Sequence, residues 1–316
     1  MSKMIGRFEY RIEVIFGYLL VIMVLYFLGD KALNANTLET VTRSNNSIIT
    51  TYTKDPQIEQ DQFVKNQTQE NGLSDRVNNT RILAEIFEGR VNRIATLLES
   101  TSGEPDVRNI SFSSMISSDV MGIPKNSDIG KRKIADSLLD VPGVGSVYFT
   151  LQNGDVYLGE PYLQQEQLPR LNFADRDWYK GVTKTNETYI SSVFISASIH
   201  APAIAIAVPV YGDESKTTAL GYWVGIVNIE KVWKSIIDKF VPDSEELIVF
   251  DDKGVIVFKS GQHNHSGINI MSTLSRNISY TYYDNKTTPI KLQGNQLAVS
   301  YPIKVGSRTW LATTIK

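Results

Sequence analysis

The residues best suited to binding a small molecule stand together as Arg176, Trp178 and Tyr179. An arginine offers a planar fork of N–H donors that matches a carboxylate. A tryptophan adds an indole donor and an apolar wall, and a tyrosine adds a hydroxyl that donates or accepts a hydrogen bond. The alternative is an ordinary helix start, with Arg176 paired to Asp175 at the surface and Trp178 in the core. The segment therefore predicts either a carboxylate site or the first turn of a surface helix.

Residue combinations typical of enzymes are missing from the sequence. Its 316 residues include no cysteine, which excludes disulfides, thiolate nucleophiles and cysteine zinc sites. Phosphate-binding glycine loops, nucleophile elbows and zinc-protease helices have no matching motif. His263 and His265 flank an asparagine without a third ligand nearby, so no metal site is predicted. We therefore expect no catalytic residues and no cofactor.

The charge pattern indicates no nucleic-acid partner. The formal net charge is −2, whereas nucleic-acid binding relies on a basic field that releases counterions. The one basic cluster after residue 31 is Lys131-Arg132-Lys133, which we interpret as a solvated helix start.

An uncharged run, Val14–Gly29, predicts a membrane-spanning helix near the N-terminus. A spanning helix needs about 20 apolar residues, and Ile12 and the stem of Lys31 extend the run. Basic residues precede it, which places the N-terminus in the cytoplasm. A cleaved signal peptide is the alternative, although the following residues make a poor cleavage site. We expect a cell-membrane protein with one N-terminal span and with residues 31–316 outside the cytoplasm.

Asn-x-Ser/Thr sequons fit a glycosylated surface protein, because all of them follow the hydrophobic run. The alternative is a composition rich in Ser, Thr and Asn, in which such tripeptides arise by chance. The sequons start at Asn45, Asn66, Asn78, Asn109, Asn186, Asn264, Asn277 and Asn285.

The polar residues 32–80 predict a juxtamembrane helix or stalk. Apolar residues at helical spacing follow, with a cap at Asn79-Thr80 and an end near Ser102-Gly103. This apolar stripe either packs on the following domain or forms the seam of a homodimer.

Two copies of one α+β module are predicted farther along the chain. Strands Val147–Leu151 and Val156–Leu158 meet across an Asn-Gly turn, and Leu247–Phe250 meets Val255–Phe258 in the same way. Each copy closes with a strand that reaches a proline, a polar turn and a strand that carries a tryptophan. The repeat predicts two separately packed cores joined by a helix over Ile229–Phe240.

Two such modules after an anchor and a long helix resemble the double Cache domains of bacterial and archaeal receptors, which are relatives of PAS domains. The resemblance covers about residues 80–316. Its carrying segments are Phe173–Tyr179, Tyr189–Phe194, Ala205–Val210 and Leu220–Ile229. It implies an α+β fold with an N-terminal transmembrane helix, a long helix and two PAS-like antiparallel-sheet modules.

The predicted domain organisation has four parts. Residues 1–31 form the cytoplasmic tip and anchor, and residues 32–80 form the juxtamembrane segment. Residues 81–240 form the membrane-distal module with its ligand pocket and connecting helix, and residues 241–316 form the membrane-proximal module.

The resemblance implies that Arg176, Trp178 and Tyr179 bind the ligand, with Tyr189 across the pocket. In family members that bind amino acids, acidic residues on two strands hold the ammonium group. Ser191 and Asn228 occupy these places here, and neither carries a charge. A buried ammonium would lose its counter-charge there. The resemblance therefore implies a small polar ligand, a carboxylate or a neutral polar metabolite rather than an ordinary amino acid.

The leading hypothesis is the ligand-sensing part of a membrane receptor in signal transduction or chemotaxis. The alternative is a singly anchored surface binding or adhesion protein that passes no signal.

Overall fold

The computed structural model describes residues 38–44, 47–53, 56–212, 218–241, 245–260, 289–291 and 297–315. The chain divides into two compact units, residues 1–71 and 72–316. In the first unit, β1 (Leu38–Ser44) and β2 (Ser47–Thr53) form an antiparallel hairpin. This stretch is therefore a hairpin rather than a helix, whereas residues 56–80 of the same predicted segment are helical. The predicted anchor Val14–Gly29 lies outside the described residues, within which no helix is long and apolar enough to cross a membrane.

The long helix α1 (Pro56–Ser102) ends where the sequence predicts but begins well before the expected cap. Proline suits the first helical position because its missing N–H would be unpaired there anyway. Thr80 lies inside the helix, where its hydroxyl donates to the Arg76 carbonyl (2.8 Å) and meets the Thr314 hydroxyl (2.7 Å).

The apolar stripe of α1 packs into the chain's own core, as the first of its two interpretations expects. The buried members of the stripe are Leu83, Phe87, Val91, Ile94 and Leu98.

The first of two antiparallel sheets has the strand order β4-β3-β8-β7-β5, with β6 also paired to β7. Alternating and continuous apolar residues produce these strands, and the predicted Asn-Gly turn joins β3 to β4. The strands are β3 (Val144–Leu151), β4 (Val156–Glu160), β5 (Tyr189–Ile190), β6 (Phe194–Ile195), β7 (Pro202–Tyr211) and β8 (Ala219–Asn228). The helices around them are α2 (Pro105–Arg108), α3 (Ile129–Leu139), α4 (Tyr162–Glu166) and α5 (Asp177–Thr185).

The second sheet has the order β10-β9-β13-β12-β11 and follows α6 (Ile229–Phe240), whose bounds match the prediction. The two sheets share one topology. When the five strands of each sheet are numbered along the chain, leaving out β6, their order across the sheet is 2-1-5-4-3 in both. The strands are β9 (Glu246–Phe250), β10 (Ile256–Lys259), β11 (Pro289–Lys291), β12 (Leu297–Val305) and β13 (Arg308–Ile315). This mixed helical and antiparallel fold, with both predicted hairpins, is that of PAS-like modules.

One hydrophobic core serves both sheets, so the expectation of two separate cores is wrong. Phe87 of α1 stacks on Trp233 of α6 with ring centroids 4.5 Å apart, and it lies 5.8 Å from Trp310 of β13. Trp233 in turn stacks on Phe258 of β10 at 5.9 Å. The cores merge because α1 and α6 contribute side chains to both. The boundary at residues 240 and 241 stays a prediction.

The basic cluster on α3 is not solvated, contrary to expectation. Lys131 is fully buried, with Nζ 4.0 Å from the Phe149 ring centroid and 3.5 Å from Asp128 Oδ2. Burial lowers the pKa of Lys131 to about 8, although Asp128 opposes the shift. Arg132 is also buried and donates to Glu160 Oε1 at 2.5 Å. The prediction is wrong because the Phe149 ring and the Glu160 carboxylate come from other elements and cover these side chains.

Candidate functional site

Strand β3 belongs to the first sheet, here called the distal sheet, and the second sheet is called the proximal sheet. One face of β3 points into the core and the other face points away from it. Side chains alternate between the two faces of a strand. Val147 and Phe149 enter the shared core, whereas Tyr148 and Thr150 line a cavity on the other face.

This cavity lies between the distal sheet and the start of α5. It encloses about 430 Å³ of atom-free space, part of which is open to solvent. Its apolar walls come from Val156, Leu168, Phe173, Trp178, Phe194, Ala197, Val224 and Ile226, and its polar lining comes from Tyr148, Thr150, Arg176, Ser196 and Ser198.

Arg176 is the charged group of this lining. Its guanidinium lies 5.9 Å from the ring centroids of both Phe173 and Phe194. In the described part of the chain it has no ion pair, because Asp175 pairs with Arg170 instead. The alternative that pairs Arg176 with Asp175 is therefore not found. An arginine held between two rings without a carboxylate partner can bind an anion.

Trp178 fits both interpretations of its segment, the core residue of a helix start and the wall of a ligand site. It is 6% exposed and belongs to the apolar cluster on the outer face of the sheet. The same side chain lines the cavity next to Arg176. It therefore serves as core residue and as cavity wall.

A set of hydroxyl groups forms the polar side of the cavity. Among the described residues, Tyr148 Oη and Thr150 Oγ1 are buried and have no hydrogen-bond partner. Ser198 and Ser146 both lie close to Tyr148 without a well-formed hydrogen bond to it, and the Ser198 hydroxyl meets those of Ser146 (2.9 Å) and Ser196 (3.0 Å). Burial raises the pKa of Tyr148 to about 12, although Ser198 opposes this, so the phenol keeps its proton.

Sequence reasoning missed these hydroxyls, although a signal was present. Ser146, Tyr148 and Thr150 alternate with apolar residues along β3. A strand that is buried on both faces of the sheet rarely carries hydroxyls at every second position, since each of them needs a partner.

The other predicted site residues are not among those that line the cavity. The Tyr179 hydroxyl donates to the Gln152 carbonyl at 2.5 Å. Ser191 accepts from the Ala205 amide at 2.9 Å, and Asn228 caps α6 by accepting from the Lys231 amide at 2.9 Å. These bonds belong to the scaffold, and direct ligand contacts by these three residues stay a prediction.

Tyr189 belongs to a contact between the two sheets. Its hydroxyl accepts from Arg308 Nη2 at 2.8 Å, and Arg308 Nη1 donates to the Ile190 carbonyl at 2.5 Å. Arg308 also lies 3.4 Å from Asp177, whose carboxylate accepts the Ser192 amide at 2.7 Å. The hairpin of β12 and β13 thus reaches the first residue of the helix that follows Arg176.

Comparison with sequences gives one partial relative. No family model matches the chain. Over 125 residues the chain is 30% identical to sporulation kinase D of Bacillus subtilis (strain 168). The match covers 40% of this chain and 23% of the kinase, so the chain spans less than a quarter of that relative.

Solved sensory domains share the arrangement of the two sheets. The ligand-binding domain of the Pseudomonas aeruginosa PAO1 amino acid chemoreceptor PctB, in complex with L-Gln, matches with a TM-score of 0.54 at 15% identity over 75% of this chain and 88% of that one. The sensory domain of the Campylobacter jejuni chemoreceptor Tlp3, with isoleucine bound, matches with a TM-score of 0.54 at 17% identity over 82% and 96%. The chain has the double Cache fold. An extracellular ligand binding receptor from Desulfohalobium retbaense DSM5692 also matches, with a TM-score of 0.55 at 12% identity over 75% of this chain and 38% of the receptor. This fold consists of two similar modules, which explains why the two sheets of the chain have the same strand order.

Proposed function

We propose that this chain is the extracytoplasmic sensor part of a membrane receptor in signal transduction or chemotaxis. Its ligand is a small polar metabolite that carries a carboxylate and occupies the cavity beside α5. The observation that carries the proposal is the guanidinium of Arg176, which lines the cavity without an ion pair in the described part of the chain.

The chemistry of the cavity supports a carboxylate. The rings of Phe173 and Phe194 hold the guanidinium through cation–π contact and limit its hydration. A carboxylate matches the guanidinium fork with two parallel hydrogen bonds. Trp178 and the aliphatic walls exclude water from the rest of the ligand, which strengthens these bonds.

The relatives support a role in sensing. PctB and Tlp3 are chemoreceptors whose sensory domains hold L-Gln and isoleucine, and both ligands carry a carboxylate. Sporulation kinase D is a kinase, and the match to this chain covers less than a quarter of its length. The same proposal includes a membrane anchor at Val14–Gly29, an output part of the receptor and a homodimer that forms through the N-terminal helix.

A binding screen on the full chain in detergent micelles tests the proposal. Carboxylates, amines and neutral polar molecules are compared by thermal shift, and the hits are measured by calorimetry. A hydrogen bond to a charged group contributes about 1.5–3 kcal/mol, so Arg176→Ala should weaken a carboxylate ligand about ten- to a hundredfold. Arg176→Lys keeps the charge without the fork and should give an intermediate loss.

The matched control is Lys180→Ala, which removes an exposed positive charge one turn farther along α5. It should leave affinity within a factor of two. Carboxylate binding that is equally strong in wild type and Arg176→Ala would refute the proposed site.

A further inference from the structure

We infer that Tyr148 and Thr150 determine ligand specificity. They select an acid that carries a neutral oxygen, a hydroxyl or a carbonyl, beside its carboxylate, and they disfavour an ammonium group. This inference rests on the proposed function and narrows its ligand class to hydroxy and oxo acids with a small apolar body.

The first observation is a pair of buried hydroxyls that line the cavity. Tyr148 is 6% exposed and Thr150 is 1% exposed. Among the described residues the Thr150 hydroxyl has no hydrogen-bond partner, and the Tyr148 hydroxyl has no well-formed one, although Ser198 and Ser146 lie close to it. An unsatisfied buried polar group costs about 1–3 kcal/mol. A ligand oxygen that reaches either hydroxyl removes its cost, which makes the cavity selective for ligands that carry such an oxygen.

The second observation concerns charge. The residues that line the cavity include Arg176 and no acidic residue. Glu160, the acid behind Tyr148, is bound to Arg132 at 2.5 Å. Asp177, the acid next to Arg176, accepts the Ser192 amide and faces Arg308. An ammonium group would therefore be buried without a counter-charge, which is strongly unfavourable.

The chemistry of the hydroxyls fits both kinds of neutral oxygen. A phenol or a threonine hydroxyl donates one hydrogen bond and also accepts. It can therefore donate to a ligand carbonyl, or donate to and accept from a ligand hydroxyl. The Ser146, Ser198 and Ser196 hydroxyls form a connected chain close to Tyr148.

The aliphatic residues that line the cavity indicate which test ligands to compare. Val156, Leu168, Val224 and Ile226 are aliphatic, which suits a branched carbon skeleton. Four acids share one such skeleton and differ at the second carbon alone: 2-oxo-3-methylbutanoate, 2-hydroxy-3-methylbutanoate, valine and 3-methylbutanoate. Their affinities for the full chain in detergent micelles are measured by calorimetry at one pH and one salt concentration.

The oxo or the hydroxy acid should bind at least tenfold more tightly than valine and more tightly than 3-methylbutanoate. A neutral hydrogen bond contributes about 0.5–1.5 kcal/mol, so Thr150→Val and Tyr148→Phe should each weaken the preferred acid about three- to tenfold. Neither change should affect 3-methylbutanoate. Thr313→Val removes a buried hydroxyl of the proximal sheet, one that meets the Ser300 hydroxyl at 2.9 Å, and as a control away from the cavity it should change none of the four affinities.

The outcomes separate this inference from the proposed function. If valine binds most tightly and Arg176→Ala weakens it, the inference fails and the carboxylate site stands. If the oxo, hydroxy and unsubstituted acids bind equally, the role of the hydroxyls is refuted while the site again stands. If none of the four acids binds, the inference is overturned, and the broader carboxylate screen decides the proposed function independently.

Discussion

The hairpins that open the two sheets are alike on one face and different on the other. Positions in β3 and β4 correspond to positions in β9 and β10 that are numbered 100 higher, and Thr150 pairs with Val156 as Phe250 pairs with Ile256. Both turns use a glycine with positive φ, +89° at Gly154 and +74° at Gly254. Glycine adopts this conformation without steric cost.

The two hairpins have similar residues on the face toward the core and different residues on the outer face. Val147 and Phe149 correspond to Leu247 and Val249, and all four enter the shared core. On the opposite face, the distal Tyr148 and Thr150 stand where the proximal sheet has Ile248 and Phe250. Those two proximal residues pack with Ile256 and Leu311 in a small apolar cluster. The inner face therefore determines the fold, and the outer face is free to differ between a ligand cavity and a packed surface.

The largest expected effect comes from the inner face that both sheets share. Phe87→Ala removes a ring that contacts Trp233 and Trp310, and it should lower the free energy of unfolding by about 3–5 kcal/mol. Because the core is continuous, both sheets should unfold in one transition. Hydrogen exchange followed by mass spectrometry measures this, with peptides from β3 and β13 as reporters. Loss of protection in one sheet alone would show that the modules are independent.

A smaller effect is expected where the two sheets exchange hydrogen bonds. Arg308→Ala removes the bonds from β13 to Tyr189 and Ile190, together with the contact to Asp177. Bonds from a charged group contribute about 1.5–3 kcal/mol, and solvent around the half-exposed Asp177 reduces the ion-pair part. We expect a loss of about 2 kcal/mol in chemical denaturation.

The control for this change lies in the same hairpin. Lys304→Ala removes an exposed cation that contacts Thr309 rather than the distal sheet, and it should cost less than about 0.5 kcal/mol. Equal losses for both variants would show that the contact between the sheets adds no stability.

Sequence reasoning found the parts of the fold that local patterns determine. The hairpins, the closing strands and α6 follow from turn residues and from hydrophobic periodicity. The early start of α1 and the shared core depend instead on packing between distant segments, as the contact of Phe87 with Trp310 illustrates.

The candidate site was predictable to a similar extent. Arg176 and Trp178 line the cavity, because their segment combines donors with an aromatic wall. Tyr148 and Thr150 were missed because Val147–Leu151 was interpreted only as a strand of a hairpin. The burial of Lys131 and Arg132 was missed because their partners lie far along the chain.

The comparison of outer faces predicts that gaining a hydroxyl in place of an alkyl group destabilises the proximal sheet, whereas losing one does not destabilise the distal sheet. Ile248→Thr places a hydroxyl in the apolar proximal cluster and should destabilise the chain by about 1–3 kcal/mol. Thr150→Val removes a hydroxyl without a partner and should leave stability unchanged or raise it by up to about 1 kcal/mol. Urea denaturation without ligand measures both. A loss of more than about 1 kcal/mol in Thr150→Val would show that the hydroxyl is already satisfied.

The smallest effect concerns a buried cation that belongs to the distal module. The folded-state pKa of Lys131 is about 8, mainly because of burial, whereas its ordinary value is 10.5. Between these values the unfolded chain binds more protons than the folded chain, so the free energy of unfolding rises with pH. One such group should add about 1 kcal/mol between pH 8 and about pH 9.

The Lys131→Met variant isolates this contribution, since it keeps an apolar stem and removes the titrating group. Burial raises the pKa of Tyr148, so that tyrosine opposes the trend above about pH 10, and the window below pH 9 avoids it. Urea denaturation at pH 8 and pH 9 should therefore show a rise in wild type that is absent in Lys131→Met. The same rise in both proteins would mean that Lys131 keeps an ordinary pKa. Its buried place over the Phe149 and Tyr157 rings would then have to be stabilised by Asp128 alone.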